Sequence, residues 1–219
     1  MPRTMCEASA ILEIEVKKMP TYVAPKADFT KSDWFETAPK AMIEHCPWDS
    51  HPVAPIAYGQ VCYTETALLV RLTCFESDPT VTYFQPNDMV CKDSCLEFFI
   101  NPTPGKDNFS NFECNAAGTL LVGRYCEGEF ALIDPATRPD FKVKAKQEPD
   151  HWQVEYEIPA AFLEQLFPGF CYADGGPMAV NFYKCGDETP NPHYSCWSII
   201  RSKEISFFHS EDFGTLIRG

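Results

Sequence analysis

The sequence predicts an all-β protein in which two antiparallel sheets pack face to face, with one short helix. Short apolar runs that alternate with polar residues recur along the 219-residue chain, and 19 prolines and 11 glycines separate them. Hydrophobic residues make up 45% of the chain and aromatic residues 14%, which is enough to build a substantial core. We therefore predict a single β-sandwich domain spanning residues 1–219.

The elements follow in chain order. The alternating run AILEIEV (10–16) predicts a first strand rather than a signal peptide, and the proline-rich residues 20–55 predict an irregular crossing segment anchored by Trp34 and Trp48. Alternation then predicts strands at 56–63, 67–75, 94–100, 109–115, 119–125, 140–147, 152–158, 178–184 and 214–219. Residues 159–167 predict a short helix that begins at Pro159 and ends before Pro168.

Successive side chains of a strand point to opposite faces of its sheet, so odd and even positions in each run separate the core from the outer face. We call this alternation side-chain parity. In 152–158 the apolar set occupies alternate positions, and Gln153, Glu155 and Glu157 take the other side. The same reasoning in five runs predicts these inward-facing residues: Leu68, Val70, Leu72, Cys74, Leu96, Phe98, Ile100, Phe112, Cys114, Trp152, Val154, Tyr156, Ile158, Val180 and Phe182.

The opposite face mixes polar groups with rings instead of carrying the usual lysines and glutamates. Its polar members are Arg71, Glu97, Glu113, Asn115, Asn181 and Tyr183, with Phe75 and Phe99 among them. Charged and amide groups beside aromatic surfaces are what recognition of a polyhydroxylated ligand requires. A cross-strand ion pair between Arg71 and Glu97 is an equally good explanation of those two residues.

Charge and cysteine content narrow the possible partners and compartment. A net charge of −13 speaks against nucleic acid or an anionic membrane as partner, and no apolar run approaches the roughly 18 residues of a membrane-spanning helix. Eleven cysteines without a recognisable signal peptide indicate a reducing cytoplasm, although an extracellular location stays open. Cys91 and Cys95 lack zinc-knuckle spacing and would stand roughly 13 Å apart along a strand, so we predict neither a metal site nor a disulfide between them.

Three segments resemble the family 9 carbohydrate-binding modules, which are jelly-roll β-sandwiches. They are VCKDSCLEFFINP, NFECNAAGTLLVGRY and the C-terminal NFYKCGDETPNPHYSCWSIIRSKEISFFHSEDFGTLI. The run 93–97 resembles the D-S-V-E strand of the family, WQVEYEIP resembles its W-x-V-E-x-x-I-P strand, and FHSEDFGTLI resembles its closing P-x-x-F-G-x-L strand. The resemblance implies a jelly-roll-like sandwich that binds a mono- or oligosaccharide without catalysis.

The resemblance also implies roles for particular residues. Glu97 matches the acidic residue of the motif strand, Asn115 matches an asparagine on the next strand, and Trp197 is the best-placed aromatic. The tryptophan expected before residue 93 is absent, and Glu113 stands where a basic residue is expected, so the glucan-end specificity of the family is not carried over. A structural calcium ion, a glycoside hydrolase partner and a role in polysaccharide catabolism are further implications.

The predicted ligand-binding set is Arg71, Glu97, Glu113, Asn115, Tyr183 and Trp197, with no catalytic residue. Two alternatives remain open. One is a sandwich that binds haem or another cofactor, for which Met89 and His193 are the first ligands to consider. The other is a glycoside hydrolase that uses Glu97 and Glu113 as paired acids.

Overall fold

The computed structural model describes residues 19–48 and 54–219, and the strands within them form two stacked sheets. The predicted strand at 10–16 lies outside the described residues. The larger sheet contains β1 (Thr21–Ala24), β5 (Cys95–Asn101), β6 (Asn108–Asn115), β7 (Leu120–Cys126), β8 (Glu129–Leu132), β11 (Met178–Cys185), β12 (Tyr194–Cys196) and β13 (Gly214–Arg218). The smaller contains β2 (Ala41–Met42), β3 (Ala57–Tyr63), β4 (Ala67–Cys74), β9 (Lys144–Gln147) and β10 (Trp152–Pro159).

Strand order in the larger sheet is β1-β13-β11-β5-β6-β7-β8, with β12 also pairing with β11. The smaller sheet runs β2-β3-β4-β10-β9. Neighbouring strands are antiparallel except for β1 and β13, which are parallel. The helix α1 (Ala160–Leu166) follows β10 directly and packs Phe162 and Leu163 into the core. These features confirm the predicted β-sandwich with one short helix.

Each of the nine runs predicted as strands between 56 and 219 contains a strand, although 140–147 is extended only from Lys144. Four strands were not predicted, namely β1, β2, β8 and β12. Two of them lie within 20–55, so this segment is less irregular than its prolines indicate. All four are two to four residues long, too short for alternation to be recognised.

The main core lies between the two sheets, and parity predicted its composition correctly. Every inward-facing residue named above belongs to this buried cluster. Gly59 of β3 allows the two sheets to approach closely at this point, because a Cβ there would overlap the ring of Phe182 on β11.

Both outer faces are partly covered by chain segments, which parity could not foresee. On the smaller sheet, Phe35 and Ala38 pack against Cys62 and Leu69, with Trp34 alongside. On the larger sheet, Trp48 and residues from the segment before β13 bury Phe99 and Tyr183. None of the described helices has the length and apolar character to cross a membrane.

Candidate functional site

The outer face of the larger sheet carries a cleft of about 430 Å³. Strands β5 to β8 and β11 provide its floor and one wall, and the loop 205–208 provides the other. The lining residues are Met89, Cys91, Glu97, Phe99, Glu113, Leu121, Phe130, Leu132, Cys185, Asp187, Tyr194, Ile205, Ser206, Phe207 and Phe208.

Carboxyl groups form the polar part of this cleft. Glu97 on β5 lies directly across the strand pair from Glu113 on β6, and Asp187 follows β11. The exposed fraction is 2% for Glu97 and 7% for Glu113. Among the described residues, no lysine or arginine forms an ion pair with any of the three.

The buried acids hold their protons more tightly than free carboxyls do. Burial, followed by the charge of Glu113, raises the pKa of Glu97 well above its usual range. Burial likewise raises the pKa of Glu113 to about 7, although a 2.6 Å hydrogen bond from Asn111 Nδ2 opposes the rise. Burial also raises the pKa of Asp187. The floor is therefore a cluster of acids with shifted pKa values.

Thiols adjoin these acids. Cys185 on β11 is the cross-strand partner of Cys95 on β5, and its Sγ donates to Glu97 Oε1 at 2.9 Å. Burial raises the pKa of both thiols. Cys91 also lines the cleft, and its carbonyl lies 3.6 Å from Cys185 Sγ.

Aromatic rings form the walls. Phe207 stacks on Tyr183 with ring centroids 4.1 Å apart and an angle of 10°, while the Tyr183 hydroxyl donates to the Phe207 carbonyl at 3.2 Å. Phe208 lies 5.2 Å from Phe130 and 5.8 Å from Phe99, centroid to centroid. Phe130 is 42% exposed and therefore presents a free ring surface at the mouth of the cleft.

Three of the six predicted binding residues meet at this cleft. Glu97 and Glu113 line it, and Tyr183 lies beneath Phe207 and supports that ring from below. The roles assigned to these residues in ligand binding stay predictions. Their convergence follows from the register of β5, β6 and β11, which places 97, 113 and 183 side by side.

Asn115 shares this sheet face but serves the fold. It is fully buried, and its Nδ2 donates to Tyr83 O and to Asp93 Oδ2, both at 2.8 Å. Its Oδ1 accepts from the backbone of Ala117 and Thr119. Every hydrogen-bonding position of the amide is thus engaged within the protein, and the role of Asn115 in ligand binding stays a prediction.

Arg71 belongs to the other sheet, so its predicted place in the site is wrong. It lies on β4 opposite Glu155, to which its Nε donates at 2.7 Å, and its NH1 donates to Asp33 at 3.0 Å. The guanidinium also stacks over Phe35 at 4.4 Å. The alternative explanation, a pair between Arg71 and Glu97, is wrong for the same reason, since parity cannot tell which sheet a strand joins.

Trp197 does not line this cleft, and its role in ligand binding stays a prediction. Its ring contacts Phe182 and Tyr22 edge-on, at 5.6 and 6.4 Å, and packs against the inter-sheet core. Its remaining surface lines a separate depression beside Lys40 and His45.

The two proposed haem ligands do not share a cavity. Met89 lies at the cleft mouth, whereas His193 is 3% exposed and has both ring nitrogens engaged, by Asn191 O at 2.7 Å and by Lys184 Nζ at 2.8 Å. The two residues therefore lie in different surroundings, and haem or cofactor binding stays an untested alternative.

Several lining residues escaped sequence reasoning. Phe130 lies on the unpredicted strand β8, and Phe207 and Phe208 lie in a loop without periodicity. Cys185 ends β11 and Asp187 lies in the loop that follows, and no spacing motif in the sequence indicates a site there.

Comparison of the sequence with known protein families identifies one match. The sequence profile described as carbohydrate-binding family 9 matches residues 31–217. A search of curated proteins found no match.

Solved structures share the fold. A protein from Bacteroides uniformis ATCC 8492, described as a candidate carbohydrate-binding protein, superposes with a TM-score of 0.77 at 24% identity, covering 92% of this chain and 100% of its own. A family 9 module from Caldicellulosiruptor kristjanssonii in complex with cellotriose superposes with a TM-score of 0.56 at 13% identity. The match covers 90% of this chain and 91% of that module. A family 9 module from the same organism in complex with glucose superposes with a TM-score of 0.54 at 14% identity. This match covers 91% of this chain and 93% of that module.

Proposed function

The chain belongs to carbohydrate-binding family 9, and from this premise we propose that it binds a mono- or oligosaccharide non-covalently in the cleft of the larger sheet. One observation carries the choice of site: buried carboxyls and exposed rings line the same cleft. Carbohydrate binding is also the property described for the structural neighbours, two of which hold cellotriose or glucose.

The acids supply the polar half of the proposed site. Glu97 and Glu113 stand side by side and can accept hydrogen bonds from sugar hydroxyls or, when protonated, donate to them. Hydrogen bonds to carboxyls as buried as these are stronger than hydrogen bonds at an open surface. These two residues would therefore select among hydroxyl arrangements.

The rings supply the apolar half. A sugar ring has an apolar face of axial C–H groups that packs on an aromatic surface. Phe130 offers such a surface at the cleft mouth, in contact with the Phe208 ring. We assign stacking to Phe130 and Phe208, in place of Trp197. A role in polysaccharide catabolism beside a glycoside hydrolase extends the same proposal.

Calorimetry against a panel of mono- and oligosaccharides that includes glucose and cellotriose tests this proposal. For any sugar that binds, Glu97→Ala and Phe130→Ala should each weaken binding about ten-fold, because each removes a contact worth on the order of 1.4 kcal/mol.

Matched controls lie on the smaller sheet. Glu157→Ala removes a carboxyl that pairs with Lys142, and Phe75→Ala removes a ring that is 44% exposed, close to the value for Phe130. Both controls should bind as the unmodified protein does. The site assignment fails if the cleft variants and the controls behave alike, and the function fails if no sugar binds.

A hydrolase remains the second candidate, because Glu97 and Glu113 form a directly opposed acid pair in a cleft. Glycosidases place one protonated and one ionised carboxyl on either side of the scissile bond. A screen with chromogenic glycosides separates the two functions. Turnover that is lost in Glu113→Gln would replace binding with catalysis as the function.

A further inference from the structure

We propose that Cys95, Glu97 and Cys185 bind a thiophilic divalent metal ion, such as Zn²⁺, at the floor of the cleft. The two Sγ atoms and a carboxylate oxygen of Glu97 all lie within 4.8 Å of one another, and all three residues are buried. Tetrahedral zinc with bonds of about 2.3 Å to sulfur holds two sulfurs about 3.8 Å apart. Small side-chain rotations therefore suffice to enclose an ion.

The sheet itself holds this cluster together. Cys95 and Glu97 are two residues apart on β5 and so point to the same face, and Cys185 is the direct partner of Cys95 on β11. Ligands carried on two central, hydrogen-bonded strands are positioned more rigidly than ligands on loops. Cys91 and Cys95 do not have the spacing of a zinc-binding pair. The second thiol of the proposed site is instead Cys185, which is 90 residues from Cys95 in the sequence.

The charge balance of the floor favours a cation. Glu97 is 2% exposed, faces the cleft and accepts a hydrogen bond from the Cys185 thiol. Glu113 and Asp187 add two further carboxyls, and no described lysine or arginine forms an ion pair with these acids. Carboxylates buried in this way are costly when they are ionised, and a bound divalent cation would stabilise the ionised form.

The donor set selects the kind of metal. Two thiols and one carboxyl suit Zn²⁺ or Co²⁺, whereas Ca²⁺ and Mg²⁺ prefer oxygen ligands alone. Binding requires the thiolates, so the two thiol protons pass to solvent. Because Glu97 and Cys185 both line the cleft, the fourth coordination position faces the cavity, as in zinc sites that bind an exchangeable ligand.

This inference goes beyond sugar binding and does not depend on it. Only Glu97 is common to the two sites, and metal binding is measured without any sugar. A failure of one proposal is therefore distinguishable from a failure of the other.

The test is a titration of chelator-treated, fully reduced protein with Co²⁺ and then Zn²⁺. We expect one equivalent of Co²⁺ per chain, a thiolate-to-cobalt charge-transfer band, and displacement of Co²⁺ by Zn²⁺. Cys95→Ser and Cys185→Ser should remove the band and weaken Zn²⁺ binding at least about ten-fold. Cys62→Ser is the matched control, because Cys62 is also buried on a strand but lies on the smaller sheet, with Sγ 3.3 Å from Trp34 O.

Loss of the signal in Cys62→Ser as well, or the absence of a thiolate band in folded reduced protein, would overturn the proposal. So would mass spectrometry that finds Cys95 and Cys185 joined in a disulfide under the same reducing conditions. Should a serine variant fail to fold, Glu97→Gln keeps the side-chain volume and must still weaken Zn²⁺ binding.

Discussion

Asn115 shows how one buried amide organises the loops behind the cleft. Its side chain connects Asp93, which itself accepts from the backbone of Thr82 and Tyr83, to the turn that ends at Thr119. Residues 82, 93 and 119 are far apart in sequence and come together at this position. The residue therefore acts on the candidate site through the fold.

Asn115→Asp should destabilise the protein by about 2 kcal/mol or more. The change replaces a donor with an acceptor that faces the Asp93 carboxylate and the Tyr83 carbonyl, leaving buried polar atoms unsatisfied. Urea unfolding followed by tryptophan fluorescence measures the loss. Asn191→Asp, at an exposed position, is the control and should change stability by less than about 0.5 kcal/mol. Equal effects of the two variants would contradict this account.

At the scale of elements, β3 and β11 determine how closely the two sheets pack. Gly59 has no side chain, so the Phe182 ring of the opposite sheet fills the space above it, with Tyr22 and Trp197 around that ring. The glycine is needed here for close approach, not for an unusual backbone conformation. Trp197 thus belongs to an inter-sheet contact that only the packing of elements defines.

Gly59→Ala should lower the free energy of unfolding by about 1–3 kcal/mol, because the added methyl overlaps the Phe182 ring and forces the sheets to shift. Thermal unfolding monitored by near-UV circular dichroism reports both stability and ring packing. Gly176→Ala is the matched control, since a Cβ there meets no atom within 4 Å. A Gly59→Ala protein as stable as Gly176→Ala would contradict the close approach.

At the scale of the whole molecule, buried polar groups at one end of the sandwich should make stability depend on pH. Lys184 is fully buried and contacts His193 Nε2 at 2.8 Å and Glu76 at 3.6 Å. Burial, and then the charge of Lys184, lowers the pKa of His193, with Glu76 opposing the shift. The folded protein therefore holds this imidazole neutral where an unfolded chain begins to protonate it.

The sign of the effect follows from this difference. Below the unfolded pKa of about 6.5 the unfolded state binds the extra proton, so stability present at pH 7.5 is lost as pH falls through the folded pKa, at up to about 1.4 kcal/mol per pH unit. His193→Gln should lose less stability than the unmodified protein between pH 7.5 and 5.5 in urea unfolding. His209→Gln, at a half-buried position where the imidazole contacts Glu211 and not Lys184, should follow the unmodified protein. Identical profiles for all three would refute the role of His193.

The sequence by itself determined most of the strands, the composition of the core between the sheets and the family. Alternation is a local property, and a core between two sheets requires it, so Trp152, Val154 and Phe182 could be assigned inward from spacing alone. The motif run 93–97 and its partner strands identified the family before any coordinates. Glu97 and Glu113 were placed on one face by the same parity.

Only the tertiary structure decided which outer-face residues share a site. Parity assigns a side chain to the outside of some sheet but does not say which sheet, so Arg71 and Glu97 looked alike although they lie on opposite sides of the sandwich. Nor can it show that a loop closes over a strand, as Phe207 does over Tyr183, or that Cys185 faces Cys95. Those contacts join residues about 24 to 90 positions apart, and long-range pairing and packing, rather than local spacing, bring them together.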